Sequence, residues 1–407
     1  MGGEMGRWPI IRLGSVLAEK PRNGYSPKDV PEWTGLQALG LGCLTSSGFA
    51  PVQIKNVPDT ALARRCALAD GDVLISRANT RELVGLVGRY RATGYPCIYP
   101  DLMMRLRPDE SRCLPAYLEL VLRSNAVRKA VRAEARGTSD SMVKISAAMV
   151  EGLEIPLPSI DEQHRIVTAH AAFERRIGAL ERVLGKLRFA ELSLSTQALA
   201  PAQCNRWDQV SLESVATVVA GVTLGSEPVG DGTVELPYLR VANVLDGRIN
   251  TADVKRVRIL STQFERYALK QGDLLLTEGG DLDKLGRGAV WDGRIEACLH
   301  QNHVFRVRCR ERMTPDFLAL YTASTAGRAY FQRVGKQTTN LASINSTQVR
   351  KMPVPVPPLD EQERLLGPVR ATRKRAELLE KQITKLRTVQ RGIVEDLLTG
   401  RSKAYVA

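Results

Sequence analysis

The residues with the most obvious chemical capacity lie in the stretch CLHQNH, where Cys298, His300 and His303 fall close together and Cys309 follows. Thiolate and neutral imidazole are the usual zinc ligands, but structural zinc sites use paired spacings that are missing here. If the stretch is a strand, His300 and His303 point to opposite faces, so no metal is expected. Lys186 and Lys336 each follow a glycine without completing a GxxxxGK[ST] phosphate loop, and Gly279–Gly288 lacks GxGxxG spacing. There is no HExxH, no nucleophile elbow and no Asn-Pro-Pro-aromatic grip for a flipped base. The chain therefore reads as one without a catalytic centre or cofactor of its own. Its seven cysteines are scattered without a CxxC pair, which suits reduced thiols in a cytosol.

The 407 residues suffice for two or three domains with proper cores, and 43% hydrophobic content is ordinary for a globular chain. No apolar run reaches membrane-spanning length, and MGGEMGRWPI lacks a leader pattern, so a cytoplasmic protein without membrane contact is expected. The net charge of +14 points toward a polyanionic partner, most often nucleic acid.

Elements able to position a binding surface emerge when the chain is compared with itself. Shifted by 199 residues, RWPIIRLGSV (Arg7–Val16) falls on RWDQVSLESV (Arg206–Val215), Ile145 on Ile344, Pro156 and Pro158 on Pro355 and Pro357, and Asp161-Glu162-Gln163 on Asp360-Glu361-Gln362. With a small change of offset, ALADGDVLIS resembles ALKQGDLLLT, and PAYLELVLRSNAVRKAV resembles PDFLALYTASTAGRAYF. Several words in order over the whole length make a duplication, and its period is far too long for a solenoid.

Each copy opens with short β-rich runs (GDVLIS, LMMRLRP, GDLLLTE, HVFRVRC) set between Gly, Asp, Asn and Pro punctuation. A helical pattern from Pro115 follows, then a Pro-rich joint: IPLPSIDEQHRIV (Ile155–Val167) or PVPPLDEQERLL (Pro355–Leu366). The joint reads as a stiff exit whose acidic residues complement a helix N-terminus. Behind it come apolar heptads. Ile166, Phe173, Leu180 and Leu187 form one row in the first copy, with Ile177 and Leu184 in the alternate row. Leu365, Leu379, Leu386 and Ile393 form one row in the second, with Val369 and Ile383 in the other. Each predicts a helix of about 35 residues, roughly 50 Å long. The economical way to cover both stripes is antiparallel pairing with each other, and pairing between molecules stays open. The fold class is α+β: two similar globular domains joined by two long antiparallel coiled-coil helices, a pseudo-two-fold tandem repeat. The expected divisions are a first domain over 1–158, a spacer helix over 159–200, a second domain over 201–357, and a spacer helix and tail over 358–407.

The duplicated PLPSIDEQHRIV and PVPPLDEQERLL joints, the heptad helices behind them and the RW…L…V openings resemble Type I restriction–modification specificity (S) subunits over essentially the whole chain. The resemblance implies a DNA-recognition subunit whose two target-recognition domains each read one half of a split, asymmetric site. The helices would set the unread gap and dock two methyltransferase (modification) subunits, which restriction motor subunits join. S-adenosylmethionine, ATP and Mg would sit on those partners. Candidate DNA-contacting residues, on loops able to meet base edges or phosphates of double-stranded DNA, are Arg77, Asn79, Arg81, Ser139, Ser141 and Lys144 in the first domain. In the second they are Glu278, Asp281, Lys284, Arg287, Lys336, Gln337, Thr338 and Asn340. The competing readings are an S-like subunit of another defence system, a coiled-coil scaffold without a DNA role, and a standalone enzyme.

Overall fold

The computed structural model describes residues 8–137, 142–225, 228–337 and 342–402. The chain forms two compact units, Met1–Glu181 with Lys381–Ala407, and Arg182–Glu380.

In the first unit an antiparallel four-stranded sheet runs in the order Arg22–Asn23, Met103–Leu106, Val73–Ser76, Val87–Arg89. The second unit repeats that order with Ala216–Ala220, Val304–Cys309, Leu274–Thr277 and Gly288–Val290. A three-stranded sheet accompanies each: Cys97–Ile98, Gln37–Leu39 and Ile54–Asn56 in the first, Leu299–His300, Thr233–Leu239 and Lys255–Leu260 in the second. The central strands Val73–Ser76 and Leu274–Thr277 are buried throughout, as their apolar runs require.

A buried carboxylate pins the turn before each central strand. Asp72 accepts from the backbone N–H of Ala69 and from Arg107 Nε at 3.0 Å; Asp273 accepts from the backbone N–H of Lys270 and, at 2.7 Å twice, from the Arg308 guanidinium. Beside them Arg105 donates to Ala67 O and Arg306 to Ala268 O. These arginines look like nucleic-acid ligands by type but are structural: Arg105 and Arg306 are 5% and 6% exposed, and burial lowers the pKa of Arg306.

The helical pattern from Pro115 is broken in two. Pro115–Arg123 and Asn125–Glu134 are separated by Ser124, whose extended backbone ends the first helix and whose hydroxyl accepts from Val127 N to cap the second. Pro315–Ala323 and Thr325–Val334 repeat this around Ser324.

The Pro-rich joints are strands. Glu154–Pro156 pairs with Ile10–Arg12, and Pro353–Val356 with Asp208–Ser211, both antiparallel. Proline is tolerated because these two-stranded ribbons leave an edge free. The opening word and the joint word of each copy are thus neighbours in space.

The next residues enter the long helices Ile160–Ala198 and Leu359–Leu398, of 39 and 40 residues. At 1.5 Å per residue each is about 60 Å long, and each is anchored by a glutamine with no solvent exposure. Gln163 accepts from Leu114 N at 2.9 Å and donates to Arg112 O and Pro158 O at 2.9 and 3.0 Å. Gln362 accepts from Thr314 N and Oγ1 at 2.8 and 2.9 Å and donates to Arg312 O and Pro357 O, both at 2.9 Å.

The long helices pair with each other, antiparallel. Within the first unit Gln390 donates to Glu174 and Arg387 pairs with Glu181. Within the second, Arg188 pairs with Glu380 at 2.6 Å and Arg373 with Glu191 at 2.7 Å. Ile166, Ile177, Val369 and Ile383 are buried, while Phe173, Leu180, Leu184, Leu187, Leu365, Leu379 and Leu386 are half-buried. Ile393 does not pair: it is 39% exposed, and its neighbour Val394 packs against the first unit's core instead. An α-helix drifts about 20° per heptad against a strict seven-residue repeat, so a flanking row slides off the seam over four heptads.

The ends of the helices complete the domain cores. Leu397 and Leu398 pack with Leu13, Tyr117 and Ile166 in the first unit; Ala198 and Leu199 pack with Trp207, Phe317 and Leu366 in the second. Trp8 Nε1 donates to Leu397 O at 2.6 Å, and Trp207 Nε1 to Glu361 at 3.0 Å.

Replacing Gln163 or Gln362 by alanine strands several buried backbone groups without partners, and each change is expected to cost about 3 kcal/mol. The midpoint of urea unfolding reads this out. His164→Ala, at an exposed position of the same turn, is expected to stay within about 0.5 kcal/mol.

Candidate nucleic-acid interface

Beyond the central strand of each four-stranded sheet, the chain enters a loop whose ends the fold holds tightly. In the first unit Ser76 N donates to Leu86 O and Gly85 N to Ser76 O, both at 2.8 Å. In the second, Thr277 N donates to Arg287 O at 2.9 Å and Gly286 N to Thr277 O at 3.3 Å. Gly85 and Gly286 have positive φ, and a Cβ on either would stand 2.3 Å from Val131 or 2.2 Å from Phe331. The two loops are equivalent and packed from beneath by equivalent helices.

The candidates of the first domain converge only in part. Ala78–Asn79 pairs antiparallel with Val143–Lys144, so Arg77, Asn79 and Lys144 share one small ladder. Arg77 is half-buried and has no side-chain hydrogen bond or ion pair among the described residues. Lys144 is exposed, and its backbone bonds Arg136 in both directions. Asn79 Oδ1 accepts from Thr80 N at 2.8 Å. Arg81 turns inward, donating to Arg132 O and Ala135 O at the end of the underlying helix. That helix grips the loop in return: Arg128 donates to Val84 O and Glu82 O at 2.5 and 2.8 Å, and Arg132 donates to Glu82 O. Burial, followed by the neighbouring Arg132 charge, lowers the Arg128 pKa to about 10. Ser139 and Ser141 lie outside the described residues.

In the second domain Gly279–Gly280 pairs with Ala342–Ser343, which also pairs with Lys336–Gln337. Glu278, Lys336 and Gln337 therefore meet at one ladder. Asp281 and Lys284 pair with each other at the exposed tip, and the lysine holds the Asp281 carboxyl below its ordinary range. Arg287 is half-buried at the closing end of the loop. Thr338 and Asn340 lie outside the described residues.

One further side chain joins this site. His303 Nδ1 donates to the Glu278 carboxylate, and Asn302 Nδ2 donates to His303 Nε2 at 3.4 Å. The sequence presents His303 only as a doubtful zinc ligand. The usable signal was its place in the repeat, three residues before the RVR that matches RLR of the first copy.

His300 and the cysteines have other roles. His300 is fully buried, its Nδ1 donating to Val304 O at 2.7 Å, and burial pushes its pKa down to about 4. Burial raises the Cys298 and Cys309 thiols to about 12, far from the thiolate a metal or nucleophilic reaction needs. Among the described residues no group of three or more His, Cys, Asp and Glu could hold a metal, and no helix is long and apolar enough to cross a membrane.

The result is a pair of matching loops, each mounted on its own rigid sheet, with little in common but their backbone. Residues 205–386 match the family model of the Type I restriction modification DNA specificity domain, which covers the second of these mountings and much of its helix. The sheet order of that region is repeated in the first unit. The chain is 22% identical over 352 residues to the Type I restriction enzyme EcoKI specificity subunit of Escherichia coli (strain K12), covering 82% of this chain and 75% of that one. It is 20% identical over 420 residues to the putative type I restriction enzyme MjaX specificity subunit of Methanocaldococcus jannaschii, covering 97% and 93%. A solved chain from work on complex assembly and conformational transition of the type I R-M system superposes with a TM-score of 0.58 at 18% identity, covering 97% and 98%. The chain is thus similar over most of its length to Type I restriction enzyme specificity subunits, and residues 205–386 match their specificity domain.

Neutral His300 imposes a pH dependence. In the folded chain it stays neutral down to about pH 4, whereas unfolded imidazole takes up a proton near pH 6.5. Its contribution is therefore whole above about pH 6.5 and is lost as pH falls toward 4. Between pH 7 and pH 5 the loss is about 2 kcal/mol. Urea unfolding at the two pH values is expected to show a flatter profile for His300→Tyr, which installs the residue found at the matching position of the first domain, Tyr99.

Proposed function

We propose that this chain is the DNA-recognition subunit of a Type I restriction–modification complex. The observation that carries the reading is the specificity-domain match over 205–386 on a fold repeated in the first unit. Each domain reads one half of a split site. Because the loops differ in nearly every side chain while sharing a backbone, the half-sites are unlike and the site is asymmetric. The paired long helices set the length of the unread gap and carry docking surfaces for two methyltransferase subunits, with restriction motor subunits joining the assembly. The chain is non-catalytic. S-adenosylmethionine belongs to the methyltransferase subunits and ATP with Mg to the motor, all in the cytoplasm.

The charge of +14 fits a partner held chiefly through phosphates. Binding to duplex DNA by the chain with its methyltransferase subunits is expected to weaken steeply with salt, by roughly a thousandfold or more between 50 and 200 mM. A coiled-coil scaffold would show no such dependence, and it has no use for two matched loops.

The direct test compares methylated bases across host DNA with the gene intact and deleted. Deletion is expected to abolish methyl-adenine at one motif made of two short specific blocks around an unread gap. An unchanged pattern, with the partner methyltransferase expressed, contradicts the reading.

A further inference from the structure

The two loops begin with the same crossing of three backbone segments. In the first domain Arg77 N donates to Leu102 O at 2.8 Å and Ile145 N donates to Arg77 O at 2.9 Å. In the second, Glu278 N donates to His303 O at 3.0 Å and Ile344 N donates to Glu278 O at 2.9 Å. Arg77 and Glu278 each follow directly on the central strand, Leu102 and His303 each precede the strand that pairs with it, and Ile145 and Ile344 are repeat equivalents. The backbone is held in place on both sides, while the side chains that it presents are opposites. One domain offers a guanidinium with no partner among the described residues; the other offers a carboxylate held by a histidine.

Resting on the specificity-subunit reading, we infer that this crossing is the position at which the two domains read different bases: Arg77 reads a guanine in one half-site, and Glu278, positioned by His303, reads a cytosine in the other. A guanidinium has only donors and matches the paired acceptors O6 and N7 of guanine in the major groove. An ionised carboxylate has only acceptors and matches the N4 amino group of cytosine. Rigidity is what such reading needs, because a side chain on a drifting loop cannot discriminate donor from acceptor patterns. Here the carrying residue is bonded through both its N–H and its C=O, and in the second domain the carboxylate itself is bonded. His303 is more than half exposed, at 55% of its side-chain surface, and Glu278 is 28% exposed, so the pair is accessible from solvent. His303 acts through Glu278: it fixes one carboxylate oxygen and leaves the other to accept from a base.

The experiment uses the chain in complex with its methyltransferase subunits, methylating unmethylated genomic DNA whose modified sites are then sequenced. For Glu278→Gln and Arg77→Gln, discrimination at one base pair of one half-site is expected to fall roughly 5- to 150-fold, each variant affecting a different half-site. Arg77→Lys keeps the charge but loses the two-pronged match, so it relaxes the same base pair as Arg77→Gln. His303→Ala is expected to relax the base pair affected by Glu278→Gln, by roughly tenfold, and His303→Asn to restore part of the discrimination by again donating to the carboxylate. A uniform loss of methylation with the motif unchanged would mean phosphate contact or a folding role and overturns the inference, as does an unchanged motif with full activity. If Arg77→Gln lowers methylation uniformly with the motif unchanged while Arg77→Lys keeps the wild-type motif and rate, Arg77 is a phosphate ligand and the inference fails for the first domain. A wild-type complex that methylates no split motif is a different result: it removes the specificity-subunit reading on which the inference rests.

Discussion

Two glutamines that never meet water hold this protein's parts in register. Gln163 and Gln362 are the first fully buried side chains of the long helices, and each ties three segments together: the end of the Pro-rich strand, the turn before a domain helix, and the start of the spacer. A buried amide can satisfy both its donor and acceptor sides only in one orientation. The helix direction therefore follows from the domain with little play. The duplicated joint is the sequence's record of this constraint. The proline strand supplies the edge, the acidic residues face the helix dipole, and the glutamine makes the lock.

Upon that lock the chain builds the same domain twice with different surfaces. The frame is conservative where electrostatics would punish change: Asp72 with Arg107, and Asp273 with Arg308, bury a carboxylate that needs its guanidinium. Removing either partner leaves an uncompensated charge beneath the central strand. The exposed loops carry no such obligation. Val131 or Phe331 fills the space beneath, a glycine with positive φ closes the turn, and the remaining positions can differ freely. A rigid platform with a replaceable surface is the arrangement by which a recognition module changes target without refolding.

Much of this was legible in the amino-acid order. The repeat, the α+β character and the helix stripes depend on local spacing and on comparison of the chain with itself, and both survive without coordinates. Other features depend on where the chain folds back. Arg105 and Arg306 resemble DNA ligands in sequence, and only their burial against Ala67 and Ala268 shows otherwise. Arg81 looks like a free cation on a loop, yet it bonds the carbonyls of a helix end fifty residues later. Ile393 satisfied a seven-residue count, but real helical twist carried it off the seam. His303 was passed over because its partner Glu278 is distant in sequence. Serine caps such as Ser124 are readable in principle, but the apolar periodicity that runs through it masks the break.

If the two domains are equivalent mountings, the asymmetry proposed for the DNA site comes from their surfaces alone. The most direct measurement replaces residues 206–357 with a second copy of residues 7–158, keeping both long helices, and maps the methylated motif made with the same methyltransferase subunits. An inverted repeat of the first half-site around a gap of unchanged length is the expected result. Retention of the original second half-site, or a complex that assembles yet methylates no symmetric motif, would contradict it.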